Sequence, residues 1–157
     1  MINAQRNREA TMSDCIFCGI VAGNRPASVV YRDALALVFL DIRPVTPGHL
    51  LVVPLVHATG LGELDPEIAA HLMAVAQRLA AALRRSGLRC EGVNLFLADG
   101  EAAGQEVFHV HLHVFPRFRG DGFGLRFGPG YGERPSREEL DRHAGAIRSG
   151  LQAETEQ

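Results

Sequence analysis

The sequence predicts an α+β fold in which five short strands form a mainly antiparallel sheet and one long helix packs on it. Five short apolar segments bounded by turn residues are typical of strands. One longer segment repeats its apolar residues at three- and four-residue steps, as an amphipathic helix does. In a chain of 157 residues with 46 % hydrophobic content, these patterns predict one globular domain.

The five strands are expected at residues 29–31, 35–40, 49–53, 92–97 and 108–115. A loop at 99–104 separates the last two strands and is short enough to predict antiparallel pairing. The long helix is expected at residues 66–86, because Asp65 suits the N-cap and Pro66 the first turn. Gly87 can then adopt the left-handed conformation that ends a helix.

Two shorter helices are expected near the ends of the chain. Asp14 is the predicted N-cap of the first, which Gly23 ends. The second should run from Ser136 to about residue 149, where Ser136 and Glu139 match a capping box. We therefore divide the chain into a disordered extension (1–13), one domain (14–150) and a polar C-terminal tail (151–157).

Charge and composition exclude several classes of function. The net charge of −2 gives no general attraction for nucleic acid or a membrane surface. All 16 basic residues are arginine, so chemistry on a lysine Schiff base is excluded. No apolar run reaches the roughly 20 residues of a membrane-spanning helix, and the polar N-terminus lacks the apolar core of a secretory signal. We therefore expect a cytoplasmic protein without nucleic-acid or membrane partners.

The most informative segment is 108–115, where three histidines alternate with apolar residues. Period-two alternation predicts a half-buried strand, with the apolar side chains facing a core and His109, His111 and His113 projecting from the other face. The chain has seven histidines, and three of them fall within five residues. This concentration indicates a chemical role rather than an ordinary polar strand face.

Several motifs, in their order and spacing, carry a resemblance to a known family. They are Cys15-Ile16-Phe17-Cys18, Phe39-Leu40-Asp41-Ile42, Thr46-Pro47-Gly48-His49, Gly104-Gln105 before the histidines, and Gly120-Asp121-Gly122-Phe123. The chain resembles the histidine triad (HIT) family of nucleotide hydrolases and transferases, and within it the bacterial, Hint-like members with an N-terminal C-x-x-C. The resemblance extends from Cys15 to the last helix. It implies a HIT-like fold and a homodimer, with the 66–86 helix and the 92–97 strand near the interface.

The resemblance also assigns catalytic roles to three histidines. A neutral imidazole is nucleophilic and available near pH 7. His111 is similar to the family nucleophile that forms a nucleotidyl-histidine, and His113 to the residue that binds the phosphoryl oxygens. His49 matches a histidine near the triad. The implied activity is hydrolysis or transfer at the α-phosphate of a nucleoside phosphoramidate or related nucleotide. A dinucleoside polyphosphate hydrolase and a nucleotide-binding module with little turnover remain alternatives.

The implied ligand is a purine nucleotide or a conjugate of one. Asp41 matches the acceptor of the ribose hydroxyls, since a carboxylate accepts two hydrogen bonds well. Apolar residues that match those holding the base are Ile16, Phe17, Phe39 and Ile42. Gln105 and Glu106 precede the triad as further candidate substrate-binding residues.

Two departures from the family pattern affect substrate choice more than reaction class. Residues 98–100 read Ala-Asp-Gly where the family often has a carboxamide. Glu106 stands where some relatives have a small hydroxyl residue, which places a carboxylate near the phosphate. Its side chain either points away and leaves only the backbone N–H at the site, or tunes a neighbouring histidine.

The pair Cys15 and Cys18 has the spacing of half a zinc site, and His57 and His109 could complete a Cys₂His₂ set. Resemblance to bacterial relatives implies a structural zinc at these positions. A thioredoxin-like redox pair is an alternative, although the βαβ context is missing. A catalytic metal shared by His109 and His111 is another. Three cysteines do not make a disulfide framework, and Cys90 is expected to be an inert thiol.

Overall fold

The computed structural model describes residues 14–154, so the predicted extension 1–13 and residues 155–157 lie outside the described part. In chain order the elements are α1 (Ile16–Val21), β1 (Val29–Arg32), β2 (Ala36–Leu40), β3 (Leu50–Pro54), α2 (Pro66–Arg85), β4 (Gly92–Phe96), β5 (Leu112–Arg117) and α3 (Arg137–Glu154). Two single 3₁₀ turns occur at Leu61–Glu63 and Glu101–Ala103.

The five strands form one sheet in the order β1-β2-β3-β5-β4, and every neighbouring pair is antiparallel. This confirms the predicted α+β class with one long helix packed on the sheet. His113 on β5 lies opposite Leu51 on β3 and opposite Phe96 on β4. The end of the histidine segment is therefore held between two strands.

Apolar side chains cover both faces of the central strands. Alternate residues of β2 and β3 pack with α2 on one face, including Val38 and Val52. The residues between them pack with Phe17 of α1 on the other face, including Phe39 and Leu51. Because both faces are buried, these strands are continuous apolar runs rather than alternating ones.

Helix α2 begins and ends as its sequence predicts. The Asp65 carboxylate accepts a hydrogen bond from the Glu67 N–H at 2.7 Å, and Gly87 has a φ of +83° just after the helix. Helix α1 differs from prediction at its start. Its N-cap is Cys15 rather than Asp14, since the Cys15 sulfur accepts the Cys18 N–H at 3.5 Å. The hydrogen bond brings the backbone of the second cysteine to the sulfur of the first.

The histidine segment also differs from prediction, because β5 begins only at Leu112. Before it, the His109 N–H bonds the carbonyl of Val107 and the Val110 N–H bonds that of Ala58, so residues 107–109 form a bend that is not paired with a strand. The predicted alternation still holds. Val110, Leu112 and Val114 are buried in the core against α2.

Contacts divide the chain into two compact units, the first ending at Phe123 and the second beginning at Gly124. In the second unit, Ser136 accepts the Glu139 N–H at 3.2 Å, as predicted for a helix start. Helix α3 then continues to Glu154, beyond the expected end at residue 149 and into the predicted tail. The assignment of 14–150 to one domain stays a prediction. Among the described helices, none is long and apolar enough to span a bilayer.

Candidate active site and metal centre

Two groups of polar side chains lie on the α1 face of the sheet, one at each end of the segment 109–113. The first, here called the Cys/His cluster, consists of Cys15, Cys18, His57 and His109, whose ligand atoms all lie within 4.8 Å of one another. The second includes His49 and His113. His111 lies between the two groups.

The Cys/His cluster brings together the four residues that the sequence suggested as a metal set. The His109 Nδ1 lies 3.5 Å from the Cys15 Sγ, 3.6 Å from the Cys18 Sγ and 3.3 Å from the His57 Nδ1. The Cys18 Sγ lies 3.3 Å from the His57 Nδ1. With bonds of about 2.3 Å to sulfur and 2.0–2.1 Å to nitrogen, tetrahedral zinc separates its ligand atoms by about 3.3–3.8 Å. The measured separations therefore fit such an ion.

Hydrogen bonding fixes which nitrogen His109 offers to this cluster. The His109 Nε2 lies 3.0 Å from the carbonyl oxygen of Pro54, which can only accept. Nε2 therefore carries the proton, and Nδ1 turns a lone pair toward the cysteines, as a metal ligand must. Burial, together with the hydrogen bond and charge of Cys15, raises the pKa of the Cys18 thiol to about 11. A divalent cation would reverse this effect by stabilising the thiolate.

The alternative of a metal shared by His109 and His111 has no support from this geometry. Among the described residues, His111 belongs to neither group of potential ligands. Its Nδ1 lies 2.7 Å from the backbone carbonyl oxygen of His109 and must donate to it. The lone pair of His111 is therefore on Nε2. The ring is buried and lies with its centroid 5.2 Å from that of Phe17.

His49 and His113 form a directed hydrogen-bonded pair. The Val45 N–H donates to the His49 Nδ1 at 3.1 Å, so His49 carries its proton on Nε2. That Nε2 lies 2.9 Å from the His113 Nδ1, which therefore accepts. The neutral His113 is left with an N–H on Nε2. Through His49, the Val45 backbone N–H thus determines that the neutral His113 presents a hydrogen-bond donor on Nε2.

The pKa values of both rings of this pair are lowered, which favours their neutral forms. Burial lowers the pKa of His49, although the nearby Asp41 opposes the shift. Burial also lowers the pKa of His113, and the charges that His111 and His49 would carry lower it further, to about 4. Asp41, His49 and His113 are close enough to be considered a metal set. Since both ring nitrogens of His49 are already used, we interpret His49 and His113 as a hydrogen-bonded pair with the Asp41 carboxylate beside it.

The four apolar residues expected around a base occupy different environments. Phe17 and Phe39 are buried and pack edge to face, with ring centroids 5.5 Å apart. Ile16 is partly exposed, and Ile42 is 90 % exposed. The Phe17 ring lies against both His109 and His111. The two isoleucines thus offer apolar surface to a ligand, while Phe17 packs against the histidines and Phe39 packs against Phe17.

Asp41 follows β2 and lies beside the His49–His113 pair. Its Oδ1 accepts the Arg43 N–H at 2.8 Å, and its Oδ2 lies 3.8 Å from the His49 Nδ1. The carboxylate is thus oriented by its own loop, and Oδ2 lies too far from His49 for a hydrogen bond. This arrangement leaves acceptor capacity for a ligand hydroxyl.

The loop before the triad is held by the Gln105 side chain. Its amide nitrogen donates to the Thr59 and Val107 carbonyls at 2.7 and 3.1 Å, and its oxygen accepts the Gly100 N–H at 2.8 Å. The side chain is therefore committed to the backbone. Asp99, in the stretch that lacks the carboxamide, accepts the Leu61 N–H at 2.9 Å.

The Glu106 side chain is mainly exposed and forms an ion pair with Arg43, with 2.6 Å between its Oε2 and the Arg43 Nη2. This is the first of the two orientations expected for it. Its charge nevertheless acts to raise the pKa of His113 against the larger effect of burial. Both expectations thus describe part of its behaviour.

Several residues around the site were not foreseen from the sequence. Val45 and Pro54 act through backbone groups, which residue type does not reveal. Phe115 packs on His49 with ring centroids 5.0 Å apart, and Phe96 lies 5.8 Å from His113. The register of β4 and β5 would have indicated Phe96, since it is the residue opposite His113.

A family model described as the HIT domain matches residues 22–120. The chain belongs to the HIT family. Membership supports a role in nucleotide binding or hydrolysis and agrees with the histidine geometry. It also confirms the resemblance drawn from the motifs.

Three HIT proteins illustrate the similarity. An uncharacterized HIT-like protein of Borreliella burgdorferi is 45 % identical over 118 residues, covering 74 % of this chain and 85 % of that protein. The crystal structure of a zinc-bound histidine triad protein from Mycobacterium smegmatis has a TM-score of 0.70 and 44 % identity, covering 91 % of this chain and 99 % of that one. The adenylylsulfatase HINT3 of Arabidopsis thaliana is 34 % identical over 105 residues, covering 67 % of this chain and 53 % of that protein.

Proposed function

We propose that this HIT protein is a nucleotidyl hydrolase or transferase that cleaves at the α-phosphate of a nucleoside phosphoramidate or related nucleotide. The observation that carries the proposal is the 2.7 Å hydrogen bond from the His111 Nδ1 to the His109 carbonyl. It leaves the Nε2 lone pair as the nucleophile. The relative named as an adenylylsulfatase supports a substrate with an adenylyl group.

In the first step, the His111 Nε2 forms a bond to the α-phosphorus as the bond to the leaving group breaks. An amine leaving group departs neutral after its nitrogen takes a proton from solvent. Positive charge develops on the His111 ring, and the His109 carbonyl stabilises it through the Nδ1–H. In the second step, water breaks the P–N bond, gives the nucleoside monophosphate and releases a proton.

The other residues bind and orient in this proposal. The His113 Nε2–H donates to a phosphoryl oxygen, a role that its pairing with His49 supports. Asp41 accepts from the ribose hydroxyls, and Ile16 and Ile42 contact the purine base above Phe17 and Phe39. Gln105 holds the loop that carries the backbone N–H of Glu106.

We propose that the Cys/His cluster holds a structural zinc ion. The zinc-bound relative and the tetrahedral spacing of the ligand atoms support this assignment. The ion would tie α1 to the segments around His57 and His109, which stabilises a small domain. Thiol ligands persist in a reducing compartment, and we therefore propose a cytoplasmic location.

We further propose that the protein is a homodimer. Strand β4 is an edge of the sheet, and its Leu95 and Phe96 side chains are exposed. An apolar edge strand favours pairing with a second copy.

Trapping of the covalent intermediate tests the reaction. The protein is mixed with adenosine 5′-phosphoramidate, quenched rapidly without acid, and measured by intact-protein mass spectrometry. We expect a chain heavier by one adenylyl group, and peptide mapping should locate the group on His111. An adduct on another residue would contradict the mechanism. Binding of AMP with neither adduct nor turnover would favour a binding module instead.

A further inference from the structure

The ion pair between Arg43 and Glu106 joins two loops that flank the proposed nucleotide site. Arg43 lies two residues beyond Asp41, and its backbone N–H is bound by the Asp41 carboxylate. Glu106 follows Gln105, whose side chain is fixed by three hydrogen bonds. Both backbones are thus anchored, so the 2.6 Å contact between the charged ends spans the space between the loops.

One charge of the pair acts on His113, the histidine proposed to bind phosphoryl oxygens. The Glu106 carboxylate is near enough to His113 to affect its pKa. The chain contains no lysine, so a permanently charged cation that attracts a polyphosphate must be an arginine, and Arg43 is the arginine that pairs with Glu106. Glu106 neutralises it while the two groups remain paired.

We propose that the Arg43–Glu106 pair selects the leaving group by charge, disfavouring polyanionic leaving groups relative to neutral or cationic amines. The inference rests on the proposed function, because it assumes attack at the α-phosphorus. An unpaired guanidinium at this rim would stabilise a departing polyphosphate through charge-assisted hydrogen bonds. With Glu106 in place that attraction is cancelled, and an amine leaving group meets no net charge.

The test compares two substrates that share the adenylyl group and differ in the leaving group. They are diadenosine tetraphosphate, whose leaving group is polyanionic, and adenosine 5′-phosphoramidate, whose leaving group is ammonia. The ratio of their kcat/KM values reports the first chemical step even if the second is rate-limiting. We expect Glu106→Gln to raise the ratio, tetraphosphate over phosphoramidate, by about threefold, and Arg43→Gln to lower it by about threefold. The size is modest because both side chains are more than 70 % exposed.

The double variant Arg43→Gln/Glu106→Gln should return the ratio toward the parent value, and 0.5 M salt should reduce both single effects. Arg89→Gln and Glu91→Gln make matched controls, since they remove an exposed ion pair of 3.3 Å. Glu91 precedes Gly92, which pairs with Arg117 at the far end of the β4–β5 ladder from His113. These control variants should leave the ratio unchanged.

The inference would be overturned if the ratio shifted in the same direction in both single variants, or if it shifted in neither variant. The proposed function would remain intact in both cases. Absence of turnover by the parent protein on both substrates would instead overturn the proposed function, and this inference with it. Circular dichroism and thermal unfolding of each variant establish that the fold is retained. Because all four side chains are mainly exposed or at the surface, we expect it to be.

Discussion

His109 and His111 are the same residue type, two positions apart, yet they present opposite ring nitrogens. His109 donates from Nε2 to the Pro54 carbonyl and turns Nδ1 toward two cysteines. His111 donates from Nδ1 to the His109 carbonyl and keeps its lone pair on Nε2. The nearest backbone carbonyl therefore determines whether the side chain suits metal ligation or nucleophilic attack.

The Cys/His cluster and the proposed nucleophile His111 are also linked, and the link acts in one direction. The carbonyl that orients His111 belongs to His109, a member of the Cys/His cluster. Disturbing the cluster should therefore reach the nucleophile through the backbone. Disturbing the His111 side chain should leave the four ligands in place, because its ring bonds the backbone of His109 and, among the described residues, belongs to neither group of potential ligands.

The sharpest test of this comparison pairs His111→Asn with His109→Asn. We expect His111→Asn to lower turnover by several orders of magnitude, since the partners of a nucleophile act as a unit. It should retain about one zinc per chain. His109→Asn should lose zinc and unfold at lower temperature. A metal ion at a free concentration of a thousand times its dissociation constant stabilises the folded state by about 4 kcal/mol, and the variant loses this stabilisation.

Elemental analysis after purification without added metal, thermal unfolding with and without a chelator, and initial rates measure these outcomes. Loss of zinc from His111→Asn would contradict the separation of the two regions. A metal-free parent protein whose Tm is unaffected by chelation would remove the zinc assignment.

Prediction from sequence succeeded where a pattern has one structural solution. The apolar stripe and caps of α2 determined that helix, and the period of two identified which side of β5 faces the core. The spacing of Cys15 and Cys18 pointed to the cluster that the structure assembles. In each case the side chains themselves carry the information, through their size, polarity or ligand chemistry.

Prediction failed where backbone groups or sulfur chemistry decide the outcome. Asp14 is the better N-cap by residue type, but the helix begins one residue later because Cys15 takes that role. The protons of His49 and His113 follow from the Val45 N–H, whose position depends on the loop conformation. The orientation of Glu106 depends on Arg43, 63 residues away in the chain.

The next smaller effect concerns nucleotide affinity rather than chemistry. Asp41→Ala should weaken AMP binding by about 1–3 kcal/mol, because a charged hydrogen-bond acceptor is removed. The parent protein should also bind 2′,3′-dideoxy-AMP less tightly than AMP, and the variant should bind the two almost equally. Calorimetry measures all four affinities. Equal affinity of the parent protein for both nucleotides would show that Asp41 does not contact the sugar.

The last prediction concerns pH, and it separates His113 from an ordinary histidine. Because burial and the neighbouring histidines lower its pKa from 6.5 to about 4, His113 should stay neutral from pH 8 down to about pH 5. In the unfolded chain the same ring takes up a proton near pH 6.5. The unfolded state therefore binds more protons between these two values, so the contribution of His113 to stability is present above pH 6.5 and is lost as pH falls toward 4. Imidazole chemical shifts followed by NMR in nucleotide-free protein measure the titration. A His113 ring that titrates near pH 6.5 would show that the His49–His113 pair does not hold it neutral, and His113 would then enter the reaction as a cation below that pH.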